Sequence, residues 1–436
     1  MLRSEVISSP VPRDLGLRMA KGAAWMIALR FAVRGIGLVS TAVLARLLVP
    51  EDFGLVALAM MVVALLEVLG EFNFEVALLR DQHAKRSHYD TAWTLTLLRG
   101  ILVAGLLLLL AQPAAIFFGD SRLATVLSVL SIAAVIDGFA NIGTVEFRRE
   151  LHFHREFIYP LTIKMGTVVG TLLAAVWIRN YWALVIGIIC GCVVRVGLSF
   201  AMSRYRPRPS LSEWRELITF SKWLFFTALL QYAYWRTDRL VVGKVMGAQA
   251  LGLYAVAYEL SNIATSELVA PVRRASLPAY AKVSCDLQTL RSVFVRDFAT
   301  ILFFGVPIAA GIGGLADPLV RVLLGERWLA AVPLMQILAI YGAFQVGPAN
   351  TGPVYLALGK PQLITVSTAL SVAVTLPAVL FGAWFYGAYG AAWGATGGSA
   401  VQFLVNLVFI KNLLQLSLLS LASRAGARSP LLLLCY

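Results

Sequence analysis

Two arginines one helical turn apart, Arg30 and Arg34, lie inside an apolar run near the N-terminus. Gly37 and Thr41 continue the same i, i+4, i+7, i+11 face, so the four residues form one stripe on a helix. A pair of guanidinium groups in that register presents a fork of donors matched to the oxygens of a diphosphate. Arg99, Arg195 and Arg236 occupy other apolar runs and extend the basic set, with Lys164 and Lys222 nearer the run ends. Glu67, Glu71, Asp137, Asp238 and Glu259 are acids in comparable positions. Each charge at the centre of a bilayer costs about 2.5–3.5 kcal/mol on insertion scales, so these groups are expected to face protein or a wet cavity. Two roles are open to the acids: carrying a proton or sodium ion, or neutralising an arginine on a neighbouring helix. The same neutralisation is the plain alternative to substrate binding for each arginine.

Other chemistry is not legible. No glycine-rich phosphate loop followed by Lys-Ser/Thr occurs, which argues against ATP hydrolysis by this chain. His83, His88, His152 and His154 lack metal-ligand spacing, and Cys190, Cys192, Cys285 and Cys435 show neither disulfide nor metal spacing. No nucleophile with a positioned base is recognisable. The chain is expected to be no enzyme and to need no bound cofactor or metal.

These charges are carried by apolar helices. Hydrophobic residues make up 59% of the 436 positions and charged residues 14%, too little polar surface for a soluble protein of this length. Spans are expected near 22–45, 54–79, 91–117, 123–145, 157–178, 181–203, 218–242, 251–270, 298–316, 331–358, 363–385 and 388–410. Alternate loops then carry roughly 23 basic residues against 7, a bias that places both termini on the cytoplasmic side. The formal charge of +14 is thus a topology signal, and no nucleic-acid partner is expected. The first 21 residues lack the apolar centre of a signal peptide.

An internal similarity runs at an offset of 198 residues: Trp25 matches Trp223, Arg46 matches Lys244, and Gly54-Leu55 matches Gly252-Leu253. Both copies start on the same side, so each holds an even number of helices. The expected architecture is all-α and membrane-integral, about twelve transmembrane helices in two six-helix lobes related by a pseudo-two-fold axis along the membrane normal. The expected divisions are a cytoplasmic segment (1–21), an N-lobe (22–204), a Pro/Arg linker (205–217), a C-lobe (218–411) and a cytoplasmic tail (412–436).

The run Leu44-Ala45-Arg46-Leu47-Leu48-Val49-Pro50-Glu51-Asp52-Phe53-Gly54-Leu55 resembles the Wzx-type polysaccharide-export flippases of the multidrug/oligosaccharidyl-lipid/polysaccharide superfamily. Gly70–Asp81, Asp238–Gly243, Leu251–Tyr258 and Leu324–Trp328 carry the same resemblance, over roughly 18–411. It implies a multi-pass protein of the bacterial inner membrane that moves undecaprenyl-diphosphate-linked oligosaccharide for exopolysaccharide or lipopolysaccharide synthesis. It also implies an ion gradient as the driving force, arginines holding the diphosphate, and polymerase and chain-length machinery as partners. A multidrug antiporter of the same superfamily is the first alternative and a membrane glycan polymerase the second. The polymerase is disfavoured because no loop assigned to the outer side exceeds about 15 residues.

Overall fold

The computed structural model describes residues 13–69, 78, 85–150, 153–262, 276–277, 279–284 and 286–416. Among these the regular secondary structure is all helical, and eight helical stretches are long and apolar enough to cross a membrane. The first half contains α1 (Arg13–Leu47), α2 (Pro50–Leu69), α3 (Arg86–Phe118), α4 (Arg122–Gly138), α5 (Phe153–Ile178) and α6 (Trp182–Met202). The second contains α7 (Trp214–Ser261), α8 (Leu287–Gly314), α9 (Ala316–Leu323), α10 (Val332–Val346) and α11 (Gln362–Leu414).

Two of these helices cannot be single crossings. α11 has 53 residues, about 80 Å at 1.5 Å per residue, against a hydrocarbon layer of about 30 Å. It folds back at Gly387, whose φ of 61° and ψ of −143° lie outside the helical region. The two arms then meet without side chains between them. A Cβ on Gly390 would fall 1.9 Å from the Gly382 carbonyl oxygen, and one on Gly394 would fall 2.5 Å from that of Ala378. Valine at 394 should therefore lower the Tm of the detergent-solubilised protein by several degrees, since overpacking costs about 1–3 kcal/mol or more. Gly397, where an added Cβ would meet no atom within 4 Å, should accept alanine with no loss. α7 folds in the same way at Gly247 (φ 77°), and its arms are tied by the Tyr254 hydroxyl donating to Asp238 at 2.9 Å.

The turns between helices gather at one end of the bundle. Glu51 and Asp120 both pair with Arg122 there, at 2.5 and 2.7 Å, and that hydrogen bonding holds the Asp120 carboxyl below its usual range. The backbone N–H of Tyr181 donates to Asp52 at 3.0 Å.

The same end joins the two halves in a paired way. A Cβ on Gly54 would lie 1.6 Å from the Ala248 carbonyl oxygen, and one on Gly252 would lie 1.8 Å from that of Pro50. The 198-residue offset turns Pro50 into Ala248 and Gly54 into Gly252, so each contact is the other with the copies exchanged. Arg46 and Lys244, also counterparts, behave alike. Arg46 donates to the Val322 carbonyl at 2.6 Å, and Lys244 donates to that of Phe117. Each is a cation at the C-terminal, negative end of a helix from the opposite half. Trp328 completes the contact, donating to the Ala45 carbonyl at 2.8 Å and meeting the Phe53 ring edge-on at 5.1 Å.

At the opposite end the Pro/Arg segment between α6 and α7 is strapped along α3. The Arg208 N–H donates to Asp90 at 2.8 Å, the Ser210 N–H to Thr94 at 2.9 Å, and the Arg86 guanidinium to the Arg206 carbonyl at 3.1 Å.

Several expected boundaries move. α4 ends at Gly138 instead of running to 145, because the Asn141 side chain accepts from Gly143 N at 2.9 Å and caps a separate 3-10 turn. Asp137 and Asn141 thus do not share one helix face. The span expected over 331–358 breaks at Gly347-Pro348, where proline supplies no N–H for the preceding turn. α8 begins at Leu287, capped by Asp286, and so starts well before the span expected from 298. The expected tail lies outside the described residues beyond 416.

Candidate functional site: a cationic cavity between the halves

Away from the joined end the halves separate around a cavity of about 1110 Å³, at the upper edge of the roughly 300–1,000 Å³ typical of ligand sites. α1 contributes Arg30 and Arg34, which the i, i+4 spacing brings to one side. α7 contributes Gln231, Trp235 and Arg239 at successive four-residue steps, with Arg236 beside them. Its second arm supplies Glu259. Among the described residues, four guanidinium groups therefore share the lining with one carboxylate.

Arg34 pairs with Glu259. The Arg34 guanidinium donates to the Glu259 carbonyl at 3.1 Å, while its approach to the Glu259 carboxylate is 3.6 Å. Arg239 lies over the Tyr258 ring at 4.3 Å, donates to the Trp235 carbonyl, and comes within 3.7 Å of Asp238. Arg239, which lies near the end of the expected 218–242 span, is on the cavity wall and buried within α7. The signal that locates it is the Gln231–Trp235–Arg239 spacing itself.

The facing wall is neutral and internally hydrogen-bonded. Gln345 donates to Tyr234 at 2.8 Å and to Tyr341 at 3.0 Å, and Tyr234 donates to Gln402. Asn406 accepts from Thr351 at 3.1 Å and from Tyr355 at 3.0 Å. A network satisfied in this way holds its side chains in place and keeps the wall polar.

A smaller chamber of about 330 Å³ adjoins the cavity between α2, α3 and α7. Glu67 and Arg99 line it, and Gln231, Trp235 and Arg236 are shared between the two spaces. The remaining candidates are placed elsewhere. Arg195 on α6 is engaged by Asp137 on α4 at 2.9 Å and is outside both linings. Asp238 is buried against Tyr254 and Arg239 and does not line the cavity. Glu71 lies outside the described residues. No group of three or more His, Cys, Asp or Glu among the described residues can hold a metal ion.

Comparison with known proteins agrees with this architecture. The chain is 23% identical over 381 residues to the lipopolysaccharide biosynthesis protein WzxC of Escherichia coli, covering 86% of this chain and 77% of that one. It is 23% identical over 396 residues to the succinoglycan biosynthesis transport protein ExoT of Rhizobium meliloti, covering 90% and 77%. The lipid II flippase MurJ in an inward closed conformation has the same fold, with a TM-score of 0.72 at 15% identity over 88% of this chain and 87% of that one. An inward-facing multidrug resistance MATE transporter superposes with a TM-score of 0.67 at 13% identity, over 92% and 96%. The profile of the family described as polysaccharide biosynthesis protein matches residues 43–333, and the chain is a membrane-spanning member of that family.

Proposed function

We propose that the protein moves an undecaprenyl-diphosphate-linked oligosaccharide across the bacterial inner membrane by ion-coupled alternating access. The observation that carries this is the excess of guanidinium groups in the interhalf cavity. A cavity with that balance of charge attracts an anion, and arginine forks match the geometry of phosphate oxygens. Arg30, Arg34, Arg236 and Arg239 hold the diphosphate in this reading. Glu259 keeps Arg34 placed until the substrate arrives and is the group best situated to take a proton as it leaves. Counting the arms of α7 and α11 separately supports twelve crossings in two lobes, with both termini on the cytoplasmic side and the joined end facing outward. Polymerase and chain-length proteins would then receive the product.

The MATE likeness keeps a multidrug antiporter as the second reading. Among the described lining residues a cationic drug would meet four like charges and one carboxylate, which disfavours it. The test is complementation in a strain lacking its own oligosaccharide flippase. Restored surface polysaccharide with unchanged drug tolerance is expected; raised drug tolerance without polysaccharide would select the antiporter.

A further inference from the structure

The side chamber has a composition that the diphosphate does not explain. Trp235 is 42% exposed although it lies on a helix packed between the halves, and its indole borders both spaces. Around it stand a carboxylate (Glu67), two guanidinium groups (Arg99 and Arg236), an amide (Gln231) and the Tyr232 ring. Tyr232 is fixed by its hydroxyl donating to the Met61 carbonyl at 2.9 Å. A polyprenyl chain would leave these charges unsolvated, and a second phosphate would meet Glu67. A ligand that offers hydroxyl donors and acceptors on its edge and a C–H face to an indole fits all of them.

The order of the two spaces adds the second argument. Arg236 and Trp235 line both spaces, so a diphosphate held by Arg236 on the cavity side has one of its two bonded groups beside the chamber. In a lipid-diphosphate-linked glycan those groups are a polyprenyl chain and a sugar, and the charged, amide-lined chamber fits the sugar. We infer that the side chamber is a hexopyranose subsite for the sugar bonded to the diphosphate. Trp235 is its stacking face, and Glu67, Arg99 and Gln231 are its hydroxyl partners. This rests on the diphosphate reading above and names the part of the substrate that gives recognition beyond it. The chamber's size, about 330 Å³, is within the roughly 300–1,000 Å³ range of small-molecule sites.

The test compares two lipids on the full-length protein in detergent: undecaprenyl diphosphate and undecaprenyl-diphosphoglucose. The unmodified protein should bind the glucosylated lipid roughly three- to tenfold more tightly, the range an aromatic contact supplies. Trp235→Leu should lose that gain, read as the ratio of the two affinities within the same variant. Glu67→Gln, which leaves the stacking face intact, should lose part of it. A gain that survives in both variants, or no gain in the unmodified protein, overturns the subsite. If neither lipid binds the unmodified protein, the diphosphate reading itself fails and the subsite falls with it.

Discussion

Replacing Arg34 by alanine should abolish glycan export while leaving membrane insertion and yield unchanged. The guanidinium lies on the cavity wall, about a third exposed, and losing a charge-assisted contact to a phosphate costs about 1.5–3 kcal/mol, roughly 10- to 150-fold in affinity. Arg30→Ala should act in the same direction, because the two share one face of α1. Arg34→Lys keeps the charge and loses the fork, so partial recovery is expected. Glu259→Gln removes the carboxylate 3.6 Å from Arg34. It should leave lipid-diphosphate binding intact or tighter and slow turnover, which separates a coupling role from a binding one. Export assayed as surface polysaccharide, with protein level measured in the membrane fraction, reads all four variants. Normal export by both alanine variants would remove the site assignment.

Locking the joined end should stop transport completely and reversibly. The halves meet there through the Gly54–Ala248 and Gly252–Pro50 contacts, the Arg46 and Lys244 helix-end bonds, and the Phe53–Trp328 ring pair. Alternating access requires all of them to part. Cysteines at Phe53 and Trp328, in a chain whose four native cysteines are replaced, can be joined by a short thiol-reactive linker with a reducible bond. The linked protein should flip no lipid, and reduction should restore the rate. Full activity with the link intact would mean that the halves do not separate at this end.

That joint also shows what the sequence discloses and what it withholds. Its symmetry is visible as the match of Gly54 to Gly252 and Arg46 to Lys244, because two copies making reciprocal contacts need the same small and basic residues in the same register. The all-helical, membrane-spanning character was legible from hydropathy, since backbone groups in lipid must be satisfied within helices. The Arg30/Arg34 stripe was legible because helical spacing alone puts both on one face. Arg195 was not, because its pairing with Asp137 depends on how α6 is rotated against α4. Arg239 becomes legible only once the turn is known to lie at Gly247, two helical turns further on, since a basic residue near a span end otherwise looks like a loop residue. The break at Pro348 and the early end of α4 came from local capping and proline chemistry, which a long apolar run conceals.

The most direct test of the whole account is leaflet accessibility in proteoliposomes carrying undecaprenyl-diphospho-oligosaccharide on one face, with and without a proton or sodium gradient. The unmodified protein should expose the glycan on the opposite face at a rate that rises with the gradient, and Arg34→Ala should give the protein-free rate. Equal rates for the unmodified protein, Arg34→Ala and empty vesicles would contradict it.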